Sequence, residues 1–176
     1  MGNAELHVER FAAEFIKESE RRLFDESVPR LKKCLAQLTE EEIWFRPNDE
    51  TVSVGNLVLH LCGNARQWIV SGVGGVEDVR KRSEEFSERG PIATNILLQK
   101  LDKTMADVAA ALDRLDSESL LKTYSVQGFQ ESGIGILMHV VEHFSYHVGQ
   151  ITYFVKSKKA IDLKYFEGID LNKTSN

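Results

Sequence analysis

The sequence predicts an all-α chain, a four-helix bundle with a long crossover between its second and third helices. Three observations carry this. Four long segments place apolar residues at three-to-four spacing. No alternating, turn-bounded stretch reads as a strand. The stretch joining the second and third segments, "GVGGVEDVRKRSEEFSERGP", is too long and too charged for a turn. At 176 residues with 42% hydrophobic and 28% charged content, the chain has the size and make-up of a single globular domain spanning 1–176.

The first helix runs from about Ala4 to Leu38, its apolar stripe marked by Val8, Phe11, Phe15, Leu23, Val28, Leu31 and Leu35. Pro29 lies inside it and should kink it, since the ring removes a backbone donor and crowds the preceding turn. Thr39 with Glu42 three residues on forms a capping box, so a short helix begins there and Pro47 stops it. The second helix follows Ser53, a good N-cap, and should stop at Gly72. The crossover from Gly72 to Pro91 has room for one short helix, and its "RKRSEEF" reads as a solvated run with local ion pairs. Leu98, Leu101, Met105, Val108, Leu112 and Leu115 mark a third helix over Thr94–Leu115. "DSESLL" is then a turn and "SVQGFQESG" a loop. The fourth helix spans about Ile134 to Lys156, and the last six residues should fray.

Charge and composition exclude several functions. The net charge is −5, and no basic patch suggests nucleic-acid binding. No run approaches the ~20 apolar residues of a membrane span. "MGNAELHVERF" has neither the basic start nor the apolar run of a signal peptide, so the expected location is the cytoplasm. Cys34 and Cys62 sit among apolar helical residues and read as buried small side chains.

The chemistry is concentrated in histidine. Three of the five histidines, His139, His143 and His147, lie on one side of the fourth helix. They span about 12 Å at the helical rise, so all three cannot reach one ion. A pair at i, i+4 can, with a third ligand from another helix. In the second helix Asn56, His60, Gly63 and Gln67 form one polar stripe on an otherwise apolar helix, with Asn64 at its edge. Such a helix is buried, so its seam must be satisfied inside the bundle or in a pocket. Gly63 should leave open space beside the imidazole. His60 is thus the third ligand, and the pair is His139–His143 or His143–His147. His143 belongs to both. Gln150 shares the stripe of His143 and His147 and could orient a ligand from behind. Arg66 reads as a surface ion-pair former, and Trp44 and Trp68 as core or interface residues.

"VGNLVLHLCGNARQWI" followed by "HVVEHFSYHVGQI", with "EEIWFRP", "RKRSEEF" and "DLKYFEGIDLN", resembles the DinB-like superfamily, in particular a subfamily without an assigned reaction. The likeness extends over essentially the whole chain. It implies a four-helix bundle with the long crossover, usually a homodimer. It also implies a divalent metal, often nickel or zinc, held by His60, His143 and His147, the pair before "VGQ", with His139 lining the pocket or packing. Members of known activity are thiol-dependent transferases and isomerases, so a low-molecular-weight thiol is the expected co-substrate beside a small-molecule substrate. A metal-dependent hydrolase and a non-enzymatic, metal-stabilised dimeric bundle are the alternatives. No catalytic residue beyond the ligands stands out.

Overall fold

The computed structural model describes residues 2–174. The fold is all-α with one small hairpin. The first long helical run is α1 (Asn3–Glu20), a π-helical segment (Arg21–Ser27) and α2 (Val28–Leu35). The wider π turn ends where Pro29 enters the next helix near its start, so the chain absorbs the proline by loosening the preceding turns. The short helix α3 (Glu40–Trp44) starts at the expected capping box: Thr39 Oγ1 accepts from Glu42 N, and Glu42 Oε2 accepts from Thr39 N.

The second long run is α4 (Val54–Ala65), capped by Ser53 and continued as a second π-helical segment (Arg66–Val73). The crossover carries α5 (Arg82–Ser87), the short helix its length had room for. The third long helix is α6 (Thr94–Leu112), and a single turn of helix, α7 (Ser117–Leu121), follows it. The fourth is α8 (Gly133–Lys159), which ends on Ala160 in the left-handed conformation. The core is continuous through all four runs. Leu31, Leu61, Ile69, Leu101, Val108, Ile136, Phe144 and Ile151 are all fully buried. α4 lies at the centre of the packing, against α6 on one side and α8 on the other, and α2 packs on α8.

One expectation changes. "SVQGFQES" is a β-hairpin and not a loop: β1 (Thr123–Val126) pairs antiparallel with β2 (Phe129–Ser132). Gln127 and Gly128 both take positive φ, 54° and 85°, which suits a two-residue hairpin turn. The strands are four residues long; β1 turns only Tyr124 and Val126 to the core and β2 has no fully buried residue, which is too short an alternation to read as a strand. Leu163 is buried, so the segment after α8 returns to the core before the chain becomes exposed. Of the six residues expected to fray, Leu171 to Thr174 are exposed coil and turn, while Ser175 and Asn176 lie outside the described residues. Among the described residues, no helix is long and apolar enough to cross a membrane.

Candidate metal centre

α4 is apolar nearly all round, so its central position is set by burial. That burial carries the polar stripe of Asn56, His60, Gly63 and Gln67 into the protein. α8 crosses α4, and its stripe of histidines meets His60 there. One ring nitrogen each from His60, His143 and His147 lie within 4.8 Å of one another. Nε2 of His60 and Nε2 of His143 are 2.8 Å apart. Imidazoles sharing one tetrahedral ion at ~2.0–2.1 Å have nitrogens roughly 3.3 Å apart; the His60–His143 pair is tighter than that, and the trio as a whole lies within 4.8 Å. Such a group could hold a metal ion.

Hydrogen bonds on the far side of the ring fix which nitrogen is bare in His60 and His147. His60 Nδ1 donates to Glu85 Oε2 at 2.9 Å, since a carboxylate only accepts. That leaves Nε2 of His60 as a lone pair directed at His143. His147 Nδ1 donates to Gln150 Oε1 at 2.8 Å, which leaves its Nε2 free as well. Ligand histidines commonly show this arrangement, with the far nitrogen held by an oxygen acceptor. Burial, reinforced by the neighbouring His147, His60 and His139 rings and by Arg80, pushes the pKa of His143 down to about 3. Burial lowers His147 too, in spite of the Gln150 hydrogen bond. Both rings are therefore neutral near pH 7, the state a metal needs.

His139 sits beside the trio and outside it. Its Nε2 accepts from Asn64 Nδ2 at 3.1 Å, and its ring stacks on Trp68 at 3.9 Å and on His143 at 5.3 Å. Trp68 in turn donates from Nε1 to Gln127 at the hairpin tip. The hairpin thus braces the far end of the histidine column. Asn64 Oδ1, buried next to His139, has no hydrogen-bond partner among the described residues.

The polar stripe of α4 is satisfied by the crossover, so "RKRSEEF" is not a wholly solvated run. Asn56 Nδ2 donates to the carbonyls of Glu85 and Glu88 at 2.8 and 2.9 Å. Arg80 forks onto Glu85 through Nε–Oε1 at 2.7 Å and Nη2–Oε2 at 2.8 Å. Gln67 Oε1 accepts from Arg80 Nη1 at 2.8 Å. The side chains of Arg80 and Glu85 are only 4% and 10% exposed. Burial opposes the charge on Glu85, yet Arg80 and His60 outweigh it and hold its carboxyl below the usual range. The space at Gly63 is therefore not open: the Glu85 carboxylate and the Arg80 guanidinium fill it. The solvated reading holds only for the neighbours, the exposed pair Lys81–Glu84 and Arg82, which lies over the Phe86 ring. One signal could have exposed the error. A histidine on a buried stripe needs a hydrogen-bond partner, and the glycine one turn on leaves room for a long side chain from another segment to supply it.

A cavity of about 390 Å³ lies behind this wall, lined by Leu59, Cys62, Ile92, Lys100 and Thr104 together with Arg80 and Glu85. It meets the Nδ1 side of His60 through the ion pair, not the Nε2 side where the three rings converge. Arg66 pairs with Asp107, in line with its surface reading. Among the described residues, no carboxylate or thiol joins the histidine trio.

A family model described as a protein of unknown function, DUF1572, matches residues 10–170. No curated protein matches the chain. The crystal structure of a DinB-like protein from Bacillus cereus ATCC 10987 is similar in fold. The two are 17% identical, the match covers 80% of this chain and 90% of that one, and the TM-score is 0.62.

Proposed function

We propose that this chain, which belongs to the DUF1572 family and has a DinB-like fold, is a divalent-metal-dependent enzyme of the thiol S-transferase type. Its ligands are His60, His143 and His147. The observation that carries this is the trio itself: three imidazoles converge, with no fourth protein ligand among the described residues. Structural zinc sites are normally closed by four protein ligands, whereas catalytic sites keep a position free. The residues present fit nickel or zinc, since imidazole suits both.

When bound, a divalent ion supplies Lewis acidity that favours the deprotonated, nucleophilic form of a small thiol. The chain's own residues do the rest. Glu85 and Gln150 hold the ligand rings in one orientation. Trp68 and Phe86, packed on His139 and His60, shield the flanks from water. The thiol and the homodimer expected with it are supported by resemblance to DinB-like proteins. A hydrolase would use the same acidity on water, and a non-enzymatic bundle would use the ion only to hold its helices.

Glutathione titrated into nickel-loaded protein separates these readings. The transferase reading expects a near-ultraviolet charge-transfer band from thiolate sulfur, absent in His143→Ala. No band with glutathione or any other small thiol, alongside ester hydrolysis that depends on His143, would replace the transferase with the hydrolase. Unfolding on metal removal, with no band and no hydrolysis, would assign the ion a purely structural role.

A further inference from the structure

We infer that Arg80 is a positioning residue for the histidine group, clamping Glu85 against His60 Nδ1 so that His60 Nε2 stays a bare lone pair facing His143. The inference rests on the metal-site reading above for its purpose, though not for its geometry.

The clamp is a closed set of contacts. Asp78 Oδ1 accepts from Arg80 N at 3.0 Å, and Asp78 Oδ2 accepts from Gln67 Nε2 at 2.7 Å. Gln67 then accepts from Arg80, Arg80 forks onto Glu85, and Glu85 accepts from His60. Two charges five residues apart could pair at the surface at little cost. These two pair inside, where desolvation costs several kcal/mol per ion unless the geometry is good. Their shared target explains the placement. Arg80 Nη2 is 3.1 Å from His60 Nδ1. A guanidinium keeps its protons and only donates. It could serve a bare Nδ1, but that would set the Nδ1 lone pair against the Glu85 carboxylate, whereas with the proton on Nδ1 both nitrogens donate to Glu85 Oε2, at 2.9 and 2.8 Å. The proton on His60 is thereby held at Nδ1.

Gly63 is the independent sign that α4 makes room for this. A Cβ there would stand 2.7 Å from Glu85 Cδ and 2.9 Å from Arg80 Nε. Any larger residue at 63 pushes the clamp off the imidazole.

The test uses full-length protein stripped with EDTA and labelled with ¹⁵N. Long-range imidazole spectra of the parent should show His60 as the Nδ1–H tautomer alone. Arg80→Ala should give a mixture of tautomers and weaken Zn²⁺ binding, read by competition with a chromophoric chelator, about 10- to 100-fold. Arg80→Lys restores the charge without the fork and should fall between. Gly63→Ala keeps both charges and displaces them, so it should match Arg80→Ala, and it decides the matter if Arg80→Ala does not fold. A pure Nδ1–H tautomer with parental Zn²⁺ affinity in the folded variants would overturn the inference. If the parent binds no Zn²⁺, the metal reading fails, while the tautomer spectra still decide the clamp.

Discussion

Replacing Asn56 with alanine should cost far more than a helix cap, because this side chain ties the crossover to α4. It is fully buried and uses both ends of its amide. Oδ1 accepts from Ser53 N at 3.1 Å, Ser53 Oγ at 2.7 Å and Arg46 Nη2 at 2.7 Å. Nδ2 holds the carbonyls of Glu85 and Glu88. An ordinary N-cap loss is worth about 1 kcal/mol. Here the carbonyls of Glu85 and Glu88 and the Arg46 guanidinium each lose a buried partner, at about 1–3 kcal/mol apiece. Allowing for a water that enters the vacated space, Asn56→Ala should lower stability by about 3–6 kcal/mol. Asn56→Asp keeps the acceptor end and turns the other into a carboxylate facing two carbonyls, so it should free the crossover as well. Urea denaturation gives the global figure, and protease cleavage between residues 76 and 92 gives the local one. A loss below about 1 kcal/mol with an uncut crossover would refute the reasoning, since it would mean that these hydrogen bonds are matched by water.

Acid should weaken the metal-free fold in a defined window. His143 titrates near 6.5 when unfolded and is pushed to about 3 by burial and its neighbours when folded. The unfolded state therefore binds more protons between those values, and stability falls as pH drops through that range and levels off above it. Urea midpoints in EDTA should be flat above pH 7 and decline below 6.5, more gently in His143→Gln; identical slopes in parent and variant would contradict this. Cys62 is buried, and that burial raises its thiol pKa to about 11. At pH 8 it should react with Ellman's reagent about 100-fold or more slower than glutathione until urea unfolds the chain. Fast labelling of the native protein would show that the cavity beside it opens.

Much of the bundle was legible because burial imposes a period. Leu98, Leu101, Met105, Val108 and Leu112 could only be one face of a helix, and α6 has them. Thr39 with Glu42, and Ser53 before an apolar run, marked helix starts because a cap is a local contact. The π-helical turns left no trace, since one extra residue in a turn hardly disturbs a stripe of Leu and Val. The hairpin was hidden because its strands are four residues long and only Tyr124 and Val126 of β1 face the core, too few positions to set a period.

In the site, the convergence of His60 with the α8 histidines followed from the buried polar stripe of α4 meeting the half-buried histidine stripe of α8. Spacing alone could not choose His147 over His139. That choice depends on where α4 crosses α8, and the structure brings His143 and His147 to His60 while Asn64 and Trp68 engage His139. Arg80 and Glu85 were missed for a general reason. An acid and a base close in sequence look like a solvated ion pair, and nothing local tells that a glycine on another helix has cleared space for them.

The most direct measurement is elemental analysis of the purified protein after loading with nickel or zinc and desalting. Parent and His139→Ala would be set beside His60→Ala, His143→Ala and His147→Ala. The account predicts about one ion per chain in the first two and loss in the other three, in line with a three-histidine site. Metal retained without His60 or His143, or absent from the parent after loading, would contradict it. The histidine column would then be a packed, hydrogen-bonded part of the core.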